Sequence, residues 1–164
     1  MSKTRFTTRQ LATAGIIAAV YTVMSMCASV FGIAYGPIQC RFSEALTVLP
    51  FFLPEAIPGL FIGCLVTNLM STVGPLDIIF GSLATLAGAL GTHYVGRKIP
   101  ALGPVFPILA NIIVVPPVLM YVYGVPDGYW FLVVTVGIGE VISCGVLGWL
   151  LYKVLKKRKI FSNE

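Results

Sequence analysis

From Tyr129 to Val154 the chain carries only two charged side chains, Glu140 and Lys153. About 20 mainly apolar residues suffice to cross a bilayer hydrocarbon core of roughly 30 Å, and this stretch is longer than that. Five further apolar stretches precede it, at Thr8–Phe31, Phe42–Leu53, Gly59–Thr72, Leu76–Val95 and Pro104–Tyr123. The breaks between them are built from Gly, Pro and charge, which end helices. Pro54-Glu55-Ala56-Ile57-Pro58, Gly74-Pro75 and Gly96-Arg97-Lys98 with Pro100 are the clearest. Composition agrees, with 57% hydrophobic residues, 10% charged and a mean hydropathy of +0.94. A soluble domain is about a quarter charged, and a disordered chain needs low hydrophobicity. The reading is an all-α integral membrane protein, with residues 1–164 forming one domain of six transmembrane helices.

Positive charge orients the bundle. Lys3, Arg5 and Arg9 precede the first span, Arg97 and Lys98 follow the fourth, and Lys156-Lys157-Arg158-Lys159 follow the sixth. With six spans these groups share one face, which the positive-inside rule makes cytoplasmic along with both termini. Arg41 alone falls on the opposite face. The net charge of +5 is thus a topological signal, and no basic surface with interleaved aromatics argues for nucleic acid. The first apolar stretch is longer than the core of a cleaved signal peptide and shows no small-residue cleavage site. Cys27, Cys40, Cys64 and Cys144 stand far apart without a C-x-x-C pair, and read as small packing residues.

Lipid gives helices no hydrophobic reason to associate, so small residues that allow close approach do much of the packing. Gly59, Gly63 and Thr67 share a face of the third span, and Gly81, Ala84, Gly88 and Gly91 form a stripe on the fourth. Gly139 and Ser143 pair on the sixth. The first span offers two offset pairs, Ala14/Ala18 and Gly15/Ala19. Spacing alone does not say which of these face a neighbour within the bundle and which face an external partner.

Against this background seven polar residues stand out, because a charge near mid-span costs about 2.5–3.5 kcal/mol on the insertion scale. Gln39, Arg41 and Glu44 lie around the start of the second span, Asn68 in the third, Asp77 at the start of the fourth, Asn111 in the fifth and Glu140 in the sixth. The topology puts Gln39, Arg41, Glu44 and Asp77 at the outer face and Asn68 roughly 8 Å inside it, at 1.5 Å per residue. Asn111 and Glu140 lie about twice as deep on the same rise. Each has a plainer explanation. Arg41 and Glu44, three apart, can pair with each other; Asp77 can act as a helix cap. The asparagines can be interhelical hydrogen-bonding groups, and Glu140 can serve a structural hydrogen bond. Taken jointly they suggest a cavity open to the outside for a polar, hydrogen-bonding solute, with a cation allowed.

Several classes are excluded by what the sequence lacks. There is no G-x-x-x-x-G-K-[ST] loop, so the chain has no means of hydrolysing a nucleotide itself. The lone histidine, His93, makes a metal site or Ser/His pair improbable, and there is no H-E-x-x-H. The expectation is therefore no catalysis, no cofactor and no metal.

The run Ile38-Gln39-Cys40-Arg41-Phe42-Ser43-Glu44-Ala45-Leu46, leading to Leu49-Pro50-Phe51-Phe52, resembles the signature of the QueT family. Gly59-Leu60-Phe61-Ile62-Gly63-Cys64 with Asn68, Leu76-Asp77-Ile78-Ile79-Phe80-Gly81, and Pro107 with Asn111 extend the likeness over nearly the whole chain. Cys40 and Phe42 depart from the apolar residues expected there and leave the polar positions untouched.

The resemblance implies a substrate-binding (S) component of an energy-coupling-factor (ECF) vitamin transporter in the cell membrane. Such a protein takes a solute from outside and works with a transmembrane coupling subunit and two cytoplasmic ATPases. The implied solute is a queuosine-type 7-deazaguanine: queuine, its aminomethyl precursor or queuosine. Glu44, Asp77 and Glu140 are then the acidic partners of the ring edge and the amine, unranked. Gln39, Arg41, Asn68 and Asn111 would meet the ring carbonyl, and Tyr35, Phe42 and Trp130 would stack on the flat base. The Gly32–Cys40 loop would be a lid. The family's small-residue A-x-x-x-A docking face matches Ala14 and Ala18. Two other readings stay open on the residues alone: a self-sufficient proton-coupled carrier with Glu140 as its carboxyl, and a structural membrane subunit that binds nothing.

Overall fold

The computed structural model describes residues 6–31, 41–70, 74–122, 124 and 126–158. Tyr35, Gln39 and the Gly32–Cys40 loop lie outside the described residues, as do Lys3, Arg5 and Lys159. Every regular element among the described residues is a helix.

Helix α1 (Thr8–Val30) starts from a capping box. The Gln10 backbone N–H donates to the Thr7 hydroxyl at 3.3 Å while the Thr7 N–H donates to the Gln10 carboxamide at 3.0 Å, satisfying two donors at the helix start. Its 23 residues reach roughly 34 Å at 1.5 Å per residue, enough to span. Next comes a ten-residue 3-10 helix, Phe42–Phe51. Such helices rarely exceed about four residues, because their hydrogen-bond geometry is poorer than in an α-helix. Here every residue from Ser43 to Phe51 is buried, so irregular backbone is enclosed by protein rather than exposed to lipid. The steeper rise of about 2 Å per residue stretches this rod to roughly 20 Å, where an α-helix would give about 15 Å.

Helix α2 (Ala56–Met70) is likewise short. Helix α3 (Pro75–Gly91) begins with Pro75 behind Gly74, where the missing proline N–H is harmless, and continues as a π-helical turn over Thr92–Gly96. A 3-10 turn, Pro100–Leu102, leads into α4 (Val105–Tyr121). Helix α5 (Tyr129–Glu140), a π-helical stretch (Val141–Leu147) and α6 (Gly148–Lys157) run on as one rod of 29 residues. Among the described residues, four rods are long and apolar enough to cross a membrane (Thr8–Val30, Pro75–Gly96, Pro100–Tyr121 and Tyr129–Lys157), with the 3-10 helix and α2 as shorter apolar partners. The expected six-helix, multi-pass membrane architecture is the one observed.

The helices α1 to α5 pack in chain order, each against the next, and the 3-10 rod sits among α1, α2, α3, α6 and the π stretch. Close approach depends on glycine. A Cβ added at Gly63 would stand 2.8 Å from the Tyr21 Cβ and 2.9 Å from the Ala18 carbonyl oxygen, and one at Gly59 would stand 2.8 Å from the Ala14 carbonyl oxygen. A Cβ at Gly88 would meet the Pro107 Cα at 2.7 Å, so α3 and α4 lock the same way.

Ala14 and Ala18 are each 8% exposed and lie at the crossing with α2, so the face they share is turned inward in this chain. The small pair on the outside of α1 is the other one: Gly15, with open space beside it, and exposed Ala19. The two pairs sit one position apart, about 100° around the helix, which is the whole difference between a buried and an offered face.

Candidate solute-binding site

The outer end of the 3-10 rod brings the sequence-predicted polar residues together. Arg41 is half-buried at its start, and Glu44, one turn in, is 1% exposed. The Glu44 carboxylate accepts a short hydrogen bond from the Tyr21 hydroxyl through Oε1. Its other oxygen, Oε2, is buried without a hydrogen-bond partner. Arg41 is therefore not the direct partner of Glu44, although its guanidinium is within electrostatic range of Glu44, Asp77 and Glu140 alike. A single cation thus stands among three carboxyl groups.

The floor of the cluster comes from the long rod. Glu140 closes α5 and Cys144 lies one turn later in the π stretch; the Cys144 thiol donates to Glu140 Oε2 at 3.3 Å and also reaches the Glu44 carbonyl oxygen at 3.5 Å. The Thr47 hydroxyl donates to that same carbonyl at 2.6 Å. Asn111 of α4, 4% exposed, stands beside the Glu140 carboxyl. The ligating atoms of Glu44, Glu140 and Cys144 all lie within 4.8 Å of one another. Two carboxylates and a thiol this close form a donor set for a cation, whether a metal ion or a ligand ammonium.

On the α2–α3 side, Asn68 Nδ2 donates to the Asp77 carbonyl oxygen at 3.4 Å. A Cβ at Gly81 would lie 3.1 Å from Asn68 Nδ2 and 3.5 Å from Asp77 Oδ1, so glycine there leaves room for both polar groups. Asp77 occupies the first turn of α3, where a carboxylate complements the helix dipole, but the cap position itself is Gly74. The Thr85 hydroxyl donates to the Cys64 sulfur at 3.3 Å, and the Ser25 hydroxyl to that of Ser43 at 2.7 Å. Cys27, Cys64 and Cys144 are free thiols.

Of the expected residues, Arg41, Glu44, Asn68, Asp77, Asn111 and Glu140 converge around this rod, with half-buried Phe42 beside them in the chain. Trp130 does not: it is 76% exposed on the first turn of α5, edge-on to Tyr129 at 5.3 Å, a position that suits an interfacial aromatic. His93 is bound elsewhere, its Nδ1 donating to the Pro50 carbonyl at 2.8 Å. Sequence reasoning missed Tyr21 and Cys144. A tyrosine in mid-span, away from the interfacial belts where tyrosines gather, was the readable sign of the first. A thiol four residues after a mid-span carboxyl, on the same helix face, was that of the second.

A multi-pass helical bundle that gathers Arg41, three carboxyls (Glu44, Asp77, Glu140) and two amides (Asn68, Asn111) around one buried rod has the make-up of a membrane protein that handles a polar solute. The chain belongs to the QueT transporter family, which it matches over residues 11–157; this is a transporter family and not one of enzymes. It is 39% identical over 79 residues to a queuosine precursor transporter QueT of Lactococcus lactis subsp. cremoris, a stretch covering 48% of this chain and 46% of the relative. The match thus spans about half the length of that protein. No solved structure matches the chain.

Proposed function

We propose that the chain captures a queuosine-type 7-deazaguanine at the outer face and passes it inward as the substrate-binding component of an energy-coupling-factor importer. The observation that carries this is Glu44 Oε2, a fully buried carboxylate oxygen with no hydrogen-bond partner, next to a second carboxyl, Glu140. Leaving such an oxygen unpaired costs on the order of 1–3 kcal/mol, more for a charged group. A guanine-like ring answers that need with a donor pair at its N1 and exocyclic-amine edge. Arg41 and the amides of Asn68 and Asn111 suit its carbonyl, and a side-chain ammonium suits the remaining carboxyls. The family, and the Lactococcus relative's identity as a queuosine precursor transporter, support this solute class.

The chain carries no phosphate loop, so on this reading the energy for uptake comes from a coupling subunit and ATPases. The exposed Gly15/Ala19 face of α1 replaces Ala14/Ala18 as the docking surface for the coupling subunit. The test is ligand-induced thermal stabilisation of the purified protein with queuine, its aminomethyl precursor and queuosine. Stabilisation by at least one of them, weakened tenfold or more in Glu140→Gln and Asp77→Asn, is the expected result. No response to any of the three sinks the solute assignment. Proton-driven uptake by the chain alone in proteoliposomes would instead establish a self-sufficient carrier.

A further inference from the structure

The inner end of the molecule holds a second built feature, independent of the solute site. A groove of about 430 Å³ is lined by Pro100, Trp149, Tyr152, Lys153, Lys156 and Lys157. Its wall is one face of α6, because residues three and four apart stack along a helix. Trp149 and Tyr152 lie with ring centroids 5.0 Å apart and planes 19° from parallel, and the Lys156 ammonium sits 5.6 Å over the Tyr152 ring. Neither α6 nor the Pro100–Leu102 turn contains an acidic residue. Three ammonium groups within about one helical turn repel each other.

Depth decides what can relieve that repulsion. Taking Tyr129 at the outer boundary, the 20 residues to Trp149 cover roughly 30 Å, the thickness of the hydrocarbon core. The rest of α6, to Lys157, then projects roughly 12 Å further, into the headgroup layer of the cytoplasmic leaflet. An aromatic floor at the boundary with lysines just beyond it matches a lipid in shape as well as charge: acyl chains below, a phosphodiester above. The groove is also larger than a lone phosphate needs.

We propose that this groove is a binding site for the headgroup of an anionic phospholipid of the cytoplasmic leaflet. The seated lipid would brace the 3-10 rod from below, since Tyr152 also packs on Phe51 and Phe52 at centroid distances of 5.0 and 5.6 Å.

The test uses the purified full chain in detergent, with phosphatidylglycerol as probe, phosphatidylcholine and inorganic phosphate as controls, and native mass spectrometry and the thermal midpoint as readouts. Phosphatidylglycerol should be retained one per protein and raise the midpoint, while phosphatidylcholine and millimolar inorganic phosphate do neither. At about a tenfold-or-less contribution per lysine near the surface, the triple change Lys153→Gln, Lys156→Gln, Lys157→Gln should weaken retention on the order of 100-fold. Because that variant removes orienting charge, Lys156→Gln alone is measured beside it and should lose roughly fivefold. Arg97→Gln with Lys98→Gln, which removes two cations off the groove, should retain the lipid normally. Equal retention by the triple variant overturns the site, as does equal retention of phosphatidylcholine or displacement of the lipid by phosphate. Loss of assembly with the coupling subunit in Lys156→Gln, with no lipid effect on the unaltered chain, would make the groove a protein contact and also overturn it.

Discussion

The two ends of the Phe42–Phe51 rod are built to opposite ends. Its outer end presents Arg41, Ser43 and Glu44 to Tyr21, Ser25, Glu140 and Cys144, and leaves one carboxylate oxygen unsatisfied. Its inner end buries Val48 and Phe51 against Tyr152, with Phe52 and Trp149 packed around them, and accepts His93 at the Pro50 carbonyl. The outer end therefore carries an unmet electrostatic need, and the inner end makes close contacts that hold the rod. A buried polar network is costly when only partly satisfied, so a bundle that keeps one has to draw its stability from elsewhere. Phe51 is one such source: Gly96 and Gly103 both lack a Cβ where its ring lies, so the α3–α4 connection closes directly on the aromatic.

The largest effect should come from the inner end. Phe51→Ala removes a ring that is 7% exposed, and such truncations cost about 3–5 kcal/mol. Unfolding in detergent should show that loss, while whatever fraction stays folded keeps its solute affinity. Equal damage to affinity would mean that the two ends are not separable. Second is Glu44→Gln, at the outer end. An amide keeps an oxygen for the Tyr21 hydroxyl and removes a buried charge, so thermal stability should hold or rise. Affinity should fall roughly 10- to 100-fold, the range for losing a hydrogen bond to a charged group. A drop in stability without loss of affinity would return Glu44 to a structural role.

Much of this contrast was legible beforehand. The six apolar stretches, their Gly/Pro breaks and the charge asymmetry are composition-level signals, and the helices follow them to within a few residues. The convergence of Arg41, Glu44, Asp77 and Glu140 was readable because ionisable residues inside a membrane are too costly to be scattered without purpose. The 3-10 form of Phe42–Phe51 was not. Ser43-Glu44-Ala45 carries no strong signal against an α-helix; the local signal is Pro50, which has no N–H for the Leu46 carbonyl and crowds it with its ring, while burial from Ser43 to Phe51 encloses the irregular backbone. The facing of Ala14/Ala18 was equally hidden, since a four-residue spacing of small side chains fits either side of α1. The exposed position of Trp130 was hidden for a related reason: the belt at the membrane interface uses the same amphipathic aromatic as a binding pocket.

Tyr21→Phe should have the smallest effect and tests where the two ends meet. Tyr21 is 1% exposed and belongs to the apolar cluster with Leu46, Leu49 and Leu60, while its hydroxyl serves Glu44. The phenylalanine keeps the packing, so stability should fall by only about 0.6–1.5 kcal/mol, the loss of one hydrogen bond. Glu44 would then have two free oxygens in place of one and could still meet a donor pair, though less well oriented. Affinity for the stabilising deazaguanine should drop by less than tenfold, clearly less than in Glu44→Gln. If Tyr21→Phe matches Glu44→Gln in affinity, the hydroxyl is itself a ligand contact, and the solute site extends from the rod onto α1.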